Sequence, residues 1–209
     1  MKAILGGTFD PVHLGHLRAA RHAQAALGIP KVTLLLAARP GHRTEPLADI
    51  HDRWRMLCLA TREIPGLLAS DLEIARSGPS YTVDSLSELC GTEPLIWLIG
   101  RDALADVPTW HRADELASLC HFVVLDRPGR QQCEPFCPRG FEIVEVASDL
   151  HQRPSGGLYR LPNAMLDISA SRVRRIVAQG GDASALLPSD VWTYICRKGL
   201  YRSCEVECG

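Results

Sequence analysis

Little in this sequence speaks for a broad charged surface. Its 23 lysines and arginines are offset by 24 aspartates and glutamates, a formal net charge of −1, so no polycationic face is offered to a nucleic-acid backbone. An anionic partner must be met by a local cluster, which suits a small phosphate-bearing molecule and argues against nucleic acid. Long apolar runs are also missing. Stretches such as Val32-Thr33-Leu34-Leu35-Leu36-Ala37-Ala38 fall short of the roughly 20 residues a bilayer-spanning helix needs. The first residues pass into a glycine turn without an apolar signal core, so a cytoplasmic location with no membrane partner is expected. The eight cysteines, at positions 58, 90, 120, 133, 137, 196, 204 and 208, contain no Cys-x-x-Cys pair. A chain of 209 residues folds without disulfide staples, so reduced thiols are expected and a zinc site is disfavoured. No internal repeat or low-complexity linker divides the chain, which reads as one domain over residues 1–201 with a short tail, 202–209.

What the sequence does contain is alternation. Strand-like apolar runs at Lys2 to Leu5, Lys31 to Ala38, Leu67 to Leu72, Leu95 to Ile99, Phe122 to Leu125 and Glu142 to Val146 are mostly separated by helical patterns. Short continuous apolar strands need cover on both sides, so the expected fold is α/β, a Rossmann-like doubly wound, mostly parallel sheet with helices on both faces. Ligands then bind beyond the carboxyl ends of the strands.

The stretch Gly6-Gly7-Thr8-Phe9-Asp10-Pro11-Val12-His13-Leu14-Gly15-His16 follows the run Ala3-Ile4-Leu5 and precedes a helical pattern from Leu17 to Leu27. It reads as a strand-to-helix turn. Glycines let the backbone approach a ligand closely, and exposed N–H groups at a helix start favour anions. His13 and His16, three apart, project to one side if both are helical. Two imidazoles there can donate to phosphoryl oxygens, and phosphoryl or nucleotidyl transfer asks for such positioning and charge stabilisation rather than for a protein nucleophile. By residue type alone, a solvated helix start or half of a metal site stays open.

The whole string narrows the choice. His13-Leu14-Gly15-His16 resembles the His-x-Gly-His signature of the nucleotidyltransferase superfamily, and the eleven-residue form is similar to that of the nicotinate-nucleotide adenylyltransferase family. The resemblance implies that Gly7, Thr8, Phe9, His13, Gly15 and His16 contact ATP, that the two histidines are catalytic, and that Thr8 and Asp10 border nicotinate mononucleotide.

Further motifs follow in the same order as in the family. Ala38 to Pro46 is a proline-bounded loop, by residue type a connection or a polyphosphate clamp. Its likeness to the family's Pro-Pro-His-Lys implies triphosphate contacts from His42 and Arg43, with arginine in place of lysine. Asp52-Arg53-Trp54-Arg55-Met56-Leu57 resembles the family's His-Arg-x-x-Met-Leu, in a helix expected from Ala48 to Arg62 with Trp54, Met56 and Leu57 inward. Asp52 stands where the family has His and receives no role. Pro79-Ser80-Tyr81-Thr82-Val83-Asp84-Ser85 joins a turn to a helix that Ser80 or Thr82 could cap. It is similar to Pro-Ser-Tyr-Thr-Val-Asp-Thr, which implies mononucleotide contacts at Tyr81 and Thr82.

Gly100 and Asp102 follow a buried strand. The acid reads as a helix cap or, through the family's Gly-x-Asp, both residues as adenosine contacts. Trp110 is a packing residue by type, and a flat face for the nicotinate ring by resemblance. Arg127, in Arg-Pro-Gly, is implied beside the mononucleotide. Ile168-Ser169-Ala170-Ser171-Arg172-Val173-Arg174 has the form of a helix start and resembles Ile-Ser-Ser-Thr-x-Ile-Arg, which makes Ser169, Ser171 and Arg174 implied ATP contacts at a second anion site.

The implied reaction is attack by the phosphate of nicotinate mononucleotide on the α-phosphorus of ATP, giving deamido-NAD and pyrophosphate in NAD biosynthesis. Mg²⁺ is implied as a bridge between phosphates, held by substrate and water, with no protein metal site. Homo-oligomers stay open. A sister enzyme acting on nicotinamide mononucleotide or phosphopantetheine is the alternative, as is a non-catalytic nucleotide sensor; the Pro79-to-Asp84 and Trp110 features speak against phosphopantetheine.

Overall fold

Strands that are apolar at every position must be buried on both faces, and the layering follows from that. The computed structural model describes residues 1–41, 45–126, 136–162 and 166–202. His42, Arg43 and Arg127 therefore lie outside the described residues. In chain order come β1 (Lys2–Gly7), α1 (Leu14–Ala26), β2 (Val32–Leu36), α2 (Ile50–Thr61), β3 (Leu67–Ser70), α3 (Leu72–Ala75), α4 (Thr82–Leu89), β4 (Leu95–Gly100) and α5 (Arg101–Asp106). They are followed by α6 (Leu116–Leu119), β5 (His121–Leu125), β6 (Glu142–Val144), β7 (Gly157–Leu161), α7 (Ala170–Ala178) and α8 (Ser189–Lys198).

The strands form one seven-stranded sheet in the order β3-β2-β1-β4-β5-β7-β6. Every pairing is parallel. Along β4, Ile96 and Leu98 join Leu5, Leu34, Val123 and Leu161 under Leu17, Met56, Val173 and Val191 of α1, α2, α7 and α8. Trp97 and Ile99 turn the other way, with Ile4, Leu35, Phe122 and Leu158, under Val83, Leu86, Leu104 and Leu116 of α4, α5 and α6. The doubly wound expectation is met, and the sheet is parallel throughout. Six of its strands are the expected ones; β7 is additional, inserted between β5 and β6.

Strand order reverses between β1 and β4, which places the turn after β1 at the crevice where such sheets take ligands. Among the described residues no helix is long and apolar enough to cross a membrane. The described cysteines Cys58, Cys90, Cys120, Cys137 and Cys196 are free thiols.

One buried group ties stability to pH. His121 is fully buried at the start of β5; its Nδ1 accepts the Gly157 N–H at 3.0 Å and its Nε2 lies 3.2 Å from the Arg153 carbonyl oxygen. The neutral ring with its proton on Nε2 satisfies both contacts. Burial, reinforced by the positive charges of Arg153 and His151, lowers its pKa below the usual 6.5, against the hydrogen bond to Arg153, which raises it. Above about pH 6.5 the folded and unfolded chains hold the same neutral ring; below it the unfolded chain takes up a proton that the folded chain resists, so stability falls. His121→Gln should flatten the acid limb of the melting temperature against pH. Parallel curves for both proteins between pH 8 and 5 would remove this histidine from the account.

Candidate active site at the carboxyl edge of the sheet

The first turn is built by what its glycines admit. A Cβ at Gly6 would stand 2.4 Å from the Trp97 ring, and one at Gly7 would stand 3.0 Å from the Phe9 ring. Phe9 folds back with φ +47°, and the Asp10-Pro11 peptide is cis. The chain reaches α1 with His13 as the extended residue just before it, so His13 is not helical, contrary to the reading in which both imidazoles stand on helical residues. The two rings nonetheless stack, with centroids 3.6 Å apart and 20° between planes.

Gly15 makes that stack fit, because a Cβ there would lie 2.9 Å from His13 Nδ1. The backbone N–H of His13 donates to His16 Nδ1 at 3.2 Å, which puts the proton of a neutral His16 on Nε2 and makes that nitrogen the donor. His13 is buried and His16 half-buried. Of the pair, His16 is the more exposed.

A second helix start lies beside the first. The same added Cβ at Gly15 would be 3.4 Å from the Ile168 Cβ, one residue before Ser169, the cap of α7. Ser169 Oγ accepts the Arg172 N–H at 3.2 Å, the expected capping role. Ser171 is exposed in the first turn of α7. The amide ends of α1 and α7 thus meet at the histidines, and each carries partial positive charge toward an anion.

The Asp10 carboxylate is buried, 5% exposed, and accepts from the N–H groups of Leu47 (2.8 Å) and Ala48 (3.1 Å) and from the Tyr201 hydroxyl (2.7 Å). Arg174 Nη1 donates to the Asp10 carbonyl oxygen at 2.6 Å and lies 3.6 Å from Oδ2. Three protein donors thus hydrogen-bond to this carboxylate and Arg174 adds an ion-pair contact, so it fastens the loop. Arg174 is correspondingly committed to Asp10 through Nη1.

Arg53 was legible only as part of a helix. Its guanidinium, 2% exposed, donates to the carbonyls of Ala48 (3.2 Å), Thr8 (3.0 Å), Ala37 (2.8 Å) and Ala38 (2.9 Å). Desolvation lowers its pKa while the Asp10 charge raises it. The exits of β1 and β2 hang on this one side chain.

Nearby, Ser80 does not cap α4; its Oγ accepts the Arg39 N–H at 3.0 Å, and its own N–H donates to the Arg39 carbonyl at 2.8 Å. Thr82 is the first residue of α4, which has no side-chain cap. Ser85 is fully buried and donates to Glu73 Oε1 at 2.6 Å, while Glu73 Oε2 takes the Ala38 N–H at 3.4 Å. That network ties α4 to the exit of β2. Half-buried Tyr81 stacks on His111 at 4.2 Å, and half-buried Trp110 packs against the same apolar cluster as Tyr81. His111 was not picked out from sequence, although it adjoins Trp110.

Gly100 ends β4 as the residue before α5, and Asp102 is exposed in the first turn of α5 without capping it. Arg101 and Arg160 both reach the buried Asp126 carboxylate beyond β5. Asp52 accepts from the Tyr194 hydroxyl at 2.6 Å and joins α2 to α8. A depression of about 750 Å³ at the far end of α7, lined by Gln179, Asp182, Trp192 and Arg202, is a helix length from Ser169 and holds none of these residues.

Comparison with known proteins decides the family. The cytidylyltransferase-like family profile matches residues 4–176. A protein of Aeromonas hydrophila named "Probable nicotinate-nucleotide adenylyltransferase" is 40% identical over 95% of this chain and 96% of its own length. One of the same name from Stenotrophomonas maltophilia is 42% identical over 97% of both. The chain belongs to the nicotinate-nucleotide adenylyltransferase branch of the cytidylyltransferase-like family.

Its fold is that of a solved adenylyltransferase too: the Plasmodium falciparum nicotinic acid mononucleotide adenylyltransferase in complex with NaAD superposes with a TM-score of 0.71 over 96% of each chain, at 19% identity. Within this adenylyltransferase family frame, the His-x-Gly-His bend lies where the sheet topology puts a ligand. Among the described residues no group of three or more His, Cys, Asp or Glu side chains could hold a metal ion.

Proposed function

We propose that this chain transfers the adenylyl group of ATP to nicotinate mononucleotide, releasing pyrophosphate and forming deamido-NAD for NAD biosynthesis. The observation that carries the reading is the meeting of the α1 and α7 amide ends at the stacked His13 and His16, in a chain about 40% identical to adenylyltransferases along its full length.

A mononucleotide phosphate oxygen forms the new bond to the α-phosphorus of ATP. The bond from that phosphorus to the bridging oxygen of the β-phosphate breaks, and pyrophosphate leaves with the electron pair. His16 Nε2 donates to the oxygens of the transferred phosphoryl group, and His13 holds the His16 ring by stacking and through its N–H. Backbone from Gly7 to Phe9, with Gly15, is proposed to border the triphosphate. The α7 start at Ser169 and Ser171 takes the leaving pyrophosphate, with His42 and Arg43 proposed to assist. Gly100 and Asp102 border the adenosine. Thr8, Tyr81, Thr82, Trp110 and Arg127 are proposed to border the mononucleotide, Trp110 by offering its ring face to the heterocycle. Mg²⁺ is proposed as a substrate-borne ion on phosphate oxygens and water.

Pyrophosphate release by the purified chain tests the reading. With ATP and nicotinate mononucleotide, release should exceed that with nicotinamide mononucleotide at least about tenfold, the size of a discrimination of 1.4 kcal/mol. Equal rates with the two mononucleotides would refute the acid preference, and release with neither would refute the transfer.

A further inference from the structure

Asp10 is the only described residue at which the first turn, the limb returning from β2, the α7 helix and the end of α8 are joined, and Tyr201 is its most distant partner in sequence. The α8 helix ends at Gly199, with φ +65°, and the chain then turns again at Tyr201, with φ +63°. For a bulky residue that conformation is strained and persists only where surrounding contacts hold it. The hold here is a 2.7 Å hydrogen bond from the Tyr201 hydroxyl to Asp10 Oδ1, which also receives the Ala48 N–H.

We propose that Tyr201 is a positioning residue for the triphosphate half of the site. It acts through Asp10, which sets Arg174 on α7 and the Leu47-Ala48 limb against the first turn. This rests on the reading that the α7 start receives pyrophosphate. The hydroxyl stays protonated through the working range, because burial and the Asp10 charge push its pKa far up. It is therefore a permanent donor.

The test is Tyr201→Phe, which removes one hydroxyl and keeps the ring. Calorimetric titration with ATP alone should show about tenfold weaker binding, the scale of one hydrogen bond to a charged acceptor. In turnover, KM for ATP should rise similarly while KM for nicotinate mononucleotide stays within about twofold. The double variant Tyr201→Phe with Asp10→Ala should bind ATP no more weakly than Asp10→Ala alone, since alanine removes the acceptor and both act through one contact.

Unchanged ATP binding with only a lowered melting temperature would overturn the proposal, as would equal losses for both substrates or multiplicative losses in the double variant. A wild-type chain that binds ATP but releases no pyrophosphate would refute the transfer reading while leaving the titration to decide the role of Tyr201. One that binds no ATP would overturn both.

Discussion

His16→Ala should lower turnover about 100-fold or more, the cost of removing one preorganised donor from a developing oxyanion. The size follows from where the side chain stands. His16 presents Nε2 as a donor because its Nδ1 is held by the His13 N–H at 3.2 Å, and its ring is fixed between His13 at 3.6 Å and the edge of Phe9 at 5.0 Å. A donor fixed before the reaction pays no reorganisation when charge moves onto the phosphoryl oxygens. KM values should change little, because the ground-state triphosphate is held mainly by helix amides and backbone. The melting temperature should also change little, since the ring is half-buried and water can take over the His13 N–H at the open end of α1. Steady-state kinetics with a folding check decides it: a loss of less than about threefold would take His16 out of the chemistry.

Much of the fold was legible because the strand cores are apolar at successive positions. Leu95-Ile96-Trp97-Leu98-Ile99 reads as a strand covered on both faces, and it is one. The missed strand, Gly157-Leu158-Tyr159-Arg160-Leu161, has only two aliphatic residues deep in the core. Its Arg160 sits in the register opposite Val124 and is accommodated because Asp126 beyond β5 receives it. No single-strand pattern announces an arginine whose counterion comes from the neighbouring strand. The chain also inverts its last strands, β7 lying between β5 and β6, an order that local periodicity does not encode.

The site was legible where its residues act through local backbone. The histidine pair, Gly15 and the Ser169 cap depend on contacts within a few positions, and spacing exposes such contacts. The fastening role of Asp10 is not legible in the sequence, because its partners, Leu47, Arg174 and Tyr201, come from segments 37, 164 and 191 positions away. A polar residue in a ligand motif looks the same whether it faces a substrate or is consumed by the protein. Arg53 carried a signal that helical spacing held and residue type concealed. Positions 53, 56, 57 and 60 form one buried stripe on α2, and an arginine on such a stripe needs buried acceptors.

That placement makes Arg53→Met the substitution with the largest expected cost in stability. Methionine fills much of the volume but leaves the carbonyls of Thr8, Ala37, Ala38 and Ala48 without the donor they share. Removing one member of a buried charged network typically costs about 3–5 kcal/mol, a large part of the 5–15 kcal/mol that separates ordinary domains from unfolding. In a chain of this length that corresponds to a fall in melting temperature of roughly 6–20 °C.

Arg53→Lys should lie between, because an ammonium keeps the charge but cannot reach four carbonyls from one planar fork. Activity should fall in both variants at temperatures where they remain folded, since Thr8 and the β2 exit lose their common anchor and the first turn drifts from the geometry His16 requires. Thermal unfolding followed by circular dichroism measures the first effect and pyrophosphate release the second. A melting temperature within about 2 °C of the parent for Arg53→Met would mean that water satisfies those carbonyls, and that the two strand exits are held by the sheet alone.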